Sequence, residues 1–150
     1  MKVTMELLRG QHDEIAEAVD ALLILFDKPY AEVASVVGAA RMQIARVVAK
    51  HLKTEDEVLL TPLRERRLMG SIAGCEAIVI ETRNLRLAYS EHIGVWTARA
   101  IEERWNDYVI VTRQLNRRLV ALCDQKMKHF YPVALRHILS DPAAIPAQSA

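Results

Sequence analysis

From Val37 onward, one helical stripe runs through Val37, Ala40, Ile44, Val47, His51, Glu55 and Val58. Steps of three and four residues put all seven on one face of an α-helix. That face is apolar except at His51 and Glu55, which are one turn apart and point the same way. A carboxylate on an inward face is costly unless something balances it. The stripe therefore demands a helical core that also supplies Glu55 with a metal, a salt bridge or a hydrogen-bond network.

Three more segments carry the same periodicity. The first helix is expected from about Thr4, as N-cap, to about Phe26. Its stripe is Leu8, His12, Ile15, Val19, Leu22 and Phe26, with His12 its one polar member. Asp27-Lys28-Pro29 makes a turn, and Pro29 suits the first position of a second helix reaching about Arg66. Pro62 should kink or end that helix, and Gly70 reads as its C-terminal glycine. Ser71 is the expected cap of a third helix that ends near His92 or Ile93, with Gly94 as its stop. Its stripe is Cys75, Ile78, Thr82, Leu85, Tyr89 and His92. Thr97 caps a fourth helix, bent at Pro132 and ending near Leu139. Its stripe includes Ile101, Trp105, Tyr108, Thr112, Leu115, Leu119, Leu122, Lys126, His129 and Val133. The Pro/Ala-rich residues 140–150 read as a disordered tail. No alternating strand-length run, phosphate-binding glycine loop or solenoid repeat interrupts the pattern. The expected fold is all-α: residues 1–139 as one up-down-up-down four-helix bundle.

Composition narrows the function. The 150 residues are 26% charged with a net charge of +1, which gives no global electrostatic case for nucleic acid or membranes. The longest apolar run, Ala21 to Phe26, is far short of a membrane span. Two cysteines without CxxC spacing, Cys75 and Cys123, and no signal-peptide core point to a reduced, cytoplasmic protein. No nucleophile–base pair or free pair of carboxylates marks an enzyme. Cys75 and His129 read as neighbours on two stripes, and Tyr89 and Tyr108 as hydrogen-bonding at the Trp96/Trp105 end. Leu59, Leu60, Ile110 and Val120 read either as core or as a homodimer face; the sequence names no other protein partner.

In the up-down-up-down order, His12, His51, Thr82 and the Leu122 region fall at one level, with Lys126 near Glu55. Inward imidazole and carboxylate at one level of a bundle are a common basis for a metal site. Gln11-His12-Asp13 and His51-Leu52-Lys53-Thr54-Glu55, followed by Pro62, resemble the hemerythrin-like, or HHE cation-binding, family. The likeness spans roughly Leu7 to Leu135. It implies a four-helix bundle around a non-haem di-iron site that binds dioxygen or related small molecules or senses redox state. His12 matches the ligand of the first helix, and His51 and Glu55 the pair of the second. On the third helix the ligand position falls on Thr82, or, if the register shifts by about 15 Å, on His92. On the fourth, Tyr131-Pro132 resembles the family's closing motif. Counting along the stripe puts Leu122 and Lys126 where His and carboxylate stand in the family; counting from the proline puts Ala121 and Gln125 there. Two outcomes follow. A single iron or other divalent metal could sit on His12, His51 and Glu55, joined by water or by His92. Alternatively Lys126 takes the metal's place as a buried salt bridge to Glu55, and the chain is a metal-free interaction or dimerisation module.

Overall fold

A computed structural model describes residues 1–141. Among them every regular element is helical. The expected disorder of residues 140–150 lies, beyond Asp141, outside the described residues.

Helix α1 covers Lys2–Leu25, starting ahead of Thr4 because the amide of Met5 already bonds the Met1 carbonyl at 2.9 Å. The second expected helix is broken near its start. Pro29 is the extended N-cap of a single turn, α2 (Tyr30–Val33), and after residues 34–36 the main helix α3 runs over Val37–Glu55. Val33 and Val37 are both buried, so the break lets each side anchor separately in the core.

Pro62 does not end the segment, which runs on to Glu65. Residues Asp56–Leu60 widen into a π turn, and α4 (Thr61–Glu65) continues beyond it. Proline lacks an amide hydrogen, and its ring crowds the carbonyl four residues back; a wider turn just before it relieves both. The fourth segment repeats the device. There α7 (Trp105–Gln125) passes through a π turn at Lys126–Phe130 into α8 (Tyr131–Ser140), with Pro132 in the first turn.

The end of α4 is set by Arg67, not Gly70. Arg67 has φ +56°, the amide of Leu68 bonds the Leu63 carbonyl at 2.9 Å, and that of Arg67 bonds the Arg64 carbonyl at 3.1 Å. This is the Schellman arrangement with arginine where glycine is favoured. Arg67→Gly is expected to stabilise the protein by about 1 kcal/mol, read as a rise in the urea midpoint; an unchanged midpoint would show the strain to be negligible.

Helix α5 (Cys75–Val95) starts after Gly74, at φ +77°, rather than from a Ser71 cap. Ile72 and Cys75 are buried on either side of that turn and fix where the chain re-enters the core. The helix also runs past Gly94. Its last carbonyls, which would otherwise be orphaned, are met by the Arg41 guanidinium of α3, which donates to Trp96 and Ile93. Thr97 does cap the next helix, α6 (Ala98–Glu103), its hydroxyl accepting from the Ala100 amide at 3.2 Å. Arg104, at φ −135° and ψ 50°, separates α6 from α7.

Side-chain pairs show how the segments lie. Gln11 meets Thr54 and Glu14 meets Lys50, so α1 and α3 run antiparallel. Glu81 meets Arg118 and His92 meets Thr112, so α5 and α7 do the same. The apolar core is split in two. One cluster gathers Ile15, Val47, Leu85, Leu119 and Leu122 with the aromatic end at Trp96, Tyr108 and Phe26. The other gathers Leu8, Leu59, Ile78, Phe130 and Tyr131. Between them, on every long segment, lies one polar step: His12 on α1, His51 and Glu55 on α3, Thr82 on α5, Lys126 after α7.

Candidate functional site

The polar layer is a closed constellation of Gln11, His12, His51, Glu55, Lys126 and Tyr131, all of them buried. Each of His51 and Glu55 reaches it because the α3 stripe continues inward for one more turn before the π turn begins. Lys126 is the first residue of the second π turn, 3% exposed, and its aliphatic stem passes through apolar surroundings to the carboxylate. Its Nζ donates to both oxygens of Glu55, at 2.9 and 3.0 Å. The Tyr131 hydroxyl donates a short hydrogen bond to Glu55 Oε2. His51 Nε2 lies 3.3 Å from the same oxygen.

The His51 imidazole is fixed from outside the centre. Gln11 donates from Nε2 to Thr54 Oγ1 at 2.8 Å, which leaves its Oε1 to accept from His51 Nδ1 at 3.0 Å. That bond holds the ring so that His51 Nε2 faces the centre. There His12 Nε2, His51 Nε2 and the Tyr131 oxygen lie 3.1 Å from one another. The rings of His12 and His51 meet edge to face at 4.5 Å.

Burial, reinforced by the positive fields of His51 and Lys126 and opposed by Glu55, lowers the pKa of His12 to about 4. Burial works to raise the pKa of Glu55. The hydrogen bond to His51, the Lys126 charge and the bonds from Tyr131 and Lys126 outweigh it and bring the value down to about 2. Tyr131 is pushed far upward, by burial first and then by the neighbouring carboxylate, so its hydroxyl stays a donor. At neutral pH the layer therefore contains a carboxylate and an ammonium in contact, a neutral His12 and a protonated phenol.

The other sequence-stripe residues lie elsewhere. His92, considered as a metal ligand, is not brought to His12, His51 and Glu55. It bonds Thr112 Oγ1 at 2.9 Å and packs on Trp96 and Tyr108 in the aromatic end. The reason is rise per residue: Thr82, ten residues earlier, already occupies the polar level. Thr82 offers no free hydroxyl proton there, since it donates to the Ile78 carbonyl at 2.8 Å. On the fourth segment the stripe count gives the inward residues, because Leu122 and Lys126 are buried while Ala121 and Gln125 are exposed. His129 is exposed and Cys75 fully buried, so they form no pair. Tyr89 bonds Asn116 at 2.6 Å rather than Tyr108. Leu59 and Leu60 are core, whereas Ile110 and Val120 are exposed.

Sequence reading missed Gln11 and Tyr131 as members of the constellation. Tyr131 carried a usable signal: a tyrosine in a buried stretch needs a partner for its hydroxyl, and Glu55 is that partner. Gln11 carried a signal as well: it stands three residues after Leu8 and four before Ile15, so the same steps of three and four mark it as inward.

The residues do not fit the two-metal set that the family resemblance implies. Leu122 and Lys126 supply no ligand, Thr82 bonds its own helix, and His92 is engaged at the aromatic end. Among the described residues no three His, Cys, Asp or Glu side chains are arranged to hold a metal ion. No described helix is long and apolar enough to cross a membrane. Compared with family models, with curated proteins and with solved structures, the chain matches none.

Proposed function

We propose that this chain is a hemerythrin-like four-helix bundle whose metal position is filled by its own Lys126, and that it works as a metal-independent, non-enzymatic binding or dimerisation module. One observation carries the reading: the Lys126 ammonium bonds both oxygens of the buried Glu55. A divalent ion on Glu55 would have to displace that ammonium or sit beside it. At an effective dielectric near 20, two unit charges about 4 Å apart interact by about 4 kcal/mol, and a divalent ion beside a lysine doubles that penalty. The fold side of the proposal is supported by antiparallel α1/α3 and α5/α7 pairs and by a buried polar layer drawn from three of the four long segments, with Thr82 of the remaining one beside it.

A second reading is a single metal on His12, His51 and Glu55, with Tyr131 as a further oxygen donor. It is favoured by the mutual 3.1 Å approach of His12 Nε2, His51 Nε2 and the Tyr131 oxygen. The Gln11 bond to His51 Nδ1 also resembles the outer partner that orients a ligating histidine. Thermal unfolding with and without metal separates the two. A ligand that binds only the folded state at a hundred times its Kd stabilises by about 2.7 kcal/mol. Under the proposal, neither a chelator nor added ferrous or zinc ion raises or lowers Tm by a comparable amount. A Tm that falls with the chelator and recovers with one metal favours the second reading.

A further inference from the structure

Between α3 with its π turn and α4 on one side, and α5 on the other, lies a groove of about 550 Å³. Its walls mix two chemistries. Leu52, Leu60 and Val79 make an aliphatic bed, while Lys53, Arg64, Arg83 and Arg86 supply positive charge. The carboxylates that share the groove are already engaged. Glu55 is bonded by Lys126, and Asp56 by Arg64 at 3.1 Å with Thr61 behind it. Lys53 is only loosely matched, 4.0 Å from Glu57. Arg83 and Arg86 make no ion pair among the described residues, and their spacing of three puts them on one face of α5. An otherwise near-neutral protein therefore gathers unmatched positive charge over an aliphatic trough.

We propose that this groove binds an aliphatic carboxylate, its chain lying on Leu52, Leu60 and Val79 and its head held by Arg83 and Arg86. Guanidinium groups match a carboxylate with paired, charge-assisted hydrogen bonds. The groove has no aromatic side chain, so nothing stacks a nucleobase, which argues for an aliphatic body over a nucleotide. The site also adjoins the buried layer. Leu52, Thr82 and Arg86 line a second, small cavity of about 30 Å³ together with His51 and Lys126. Glu55 itself lines the groove, so a ligand there adjoins the Glu55–Lys126 pair. The inference rests on the groove and holds whether Glu55 is balanced by lysine or by metal.

The test is calorimetric titration of the full chain with decanoate, with decanol and ADP as comparison ligands. The expected result is saturable one-to-one binding of decanoate that weakens as salt rises, with decanol and ADP each binding at least roughly tenfold less tightly. The exposed double variant Arg83→Ala/Arg86→Ala, which leaves the core untouched, should weaken decanoate roughly tenfold or more. Decanol binding as tightly as decanoate, or a double variant that binds decanoate unchanged, overturns the carboxylate clamp. Preferential binding of ADP overturns the aliphatic occupant, and the absence of decanoate binding overturns the site.

Discussion

Lys126→Met is expected to destabilise the protein by about 3–5 kcal/mol, the cost of leaving a buried charge without its partner. Methionine keeps the stem's volume, so the loss falls on the charge. Glu55 is 2% exposed, and Lys126 donates to both of its oxygens. Once the ammonium is gone, the carboxylate either stays charged in an apolar layer or takes up a proton, and both cost stability. Adding Glu55→Gln to Lys126→Met should recover most of the loss, because the carboxamide is neutral and still accepts from Tyr131. Urea unfolding of the wild type, the two single variants and the double variant gives the coupling directly. A loss below about 1 kcal/mol in Lys126→Met would place the pair among weak surface-like ion pairs and deny it a central role.

Acid is expected to remove stability in two stages. His12 has its pKa lowered to about 4 in the folded protein, by burial first, against an ordinary value of 6.5. Between those values the unfolded chain binds a proton that the native state refuses, so stability falls as the pH drops from 6.5 toward 4. The shift corresponds to about 3 kcal/mol over that window. His92, lowered to about 4 by burial and then by Arg41, acts in the same direction. Glu55 follows at lower pH. Its folded value of about 2 lies below the ordinary 4.5, so its contribution is complete above pH 4.5 and is lost as the pH falls through 2. Urea midpoints measured from pH 7.5 to 4 should decline steeply, and His12→Gln, which cannot charge, should decline less. Equal slopes for the wild type and His12→Gln would show that His12 does not resist protonation.

Most of the helical content was open to reading because the apolar stripes repeat over each segment, and those stripes come from the same burial that forms the core. His51, Glu55 and Lys126 were visible as inward for that reason: each interrupts a stripe without shifting it. The turns were harder. Nothing in Arg67 announces a left-handed residue, and Gly70 and Gly94 drew attention that belonged to Arg67 and to Arg41. The π turns needed knowledge of how a helix meets Pro62 and Pro132, where widening by one residue competes with kinking. Tyr131 lies beyond such a turn, so simple counting of three and four did not carry its hydroxyl back to Glu55. The register of α5 was undecidable by periodicity alone, since Thr82 and His92 lie on the same stripe. Packing resolves it by putting Leu85 and Ile78 in different clusters with Thr82 between them.

The proposed replacement of a metal by Lys126 meets its most direct test in the metal content of protein purified from an iron-supplemented culture. With the ammonium in the ion's place, elemental analysis should find iron, manganese and zinc each well below one ion per chain, in the wild type and in His51→Ala alike. Stoichiometric metal in the wild type that disappears in His51→Ala would contradict it.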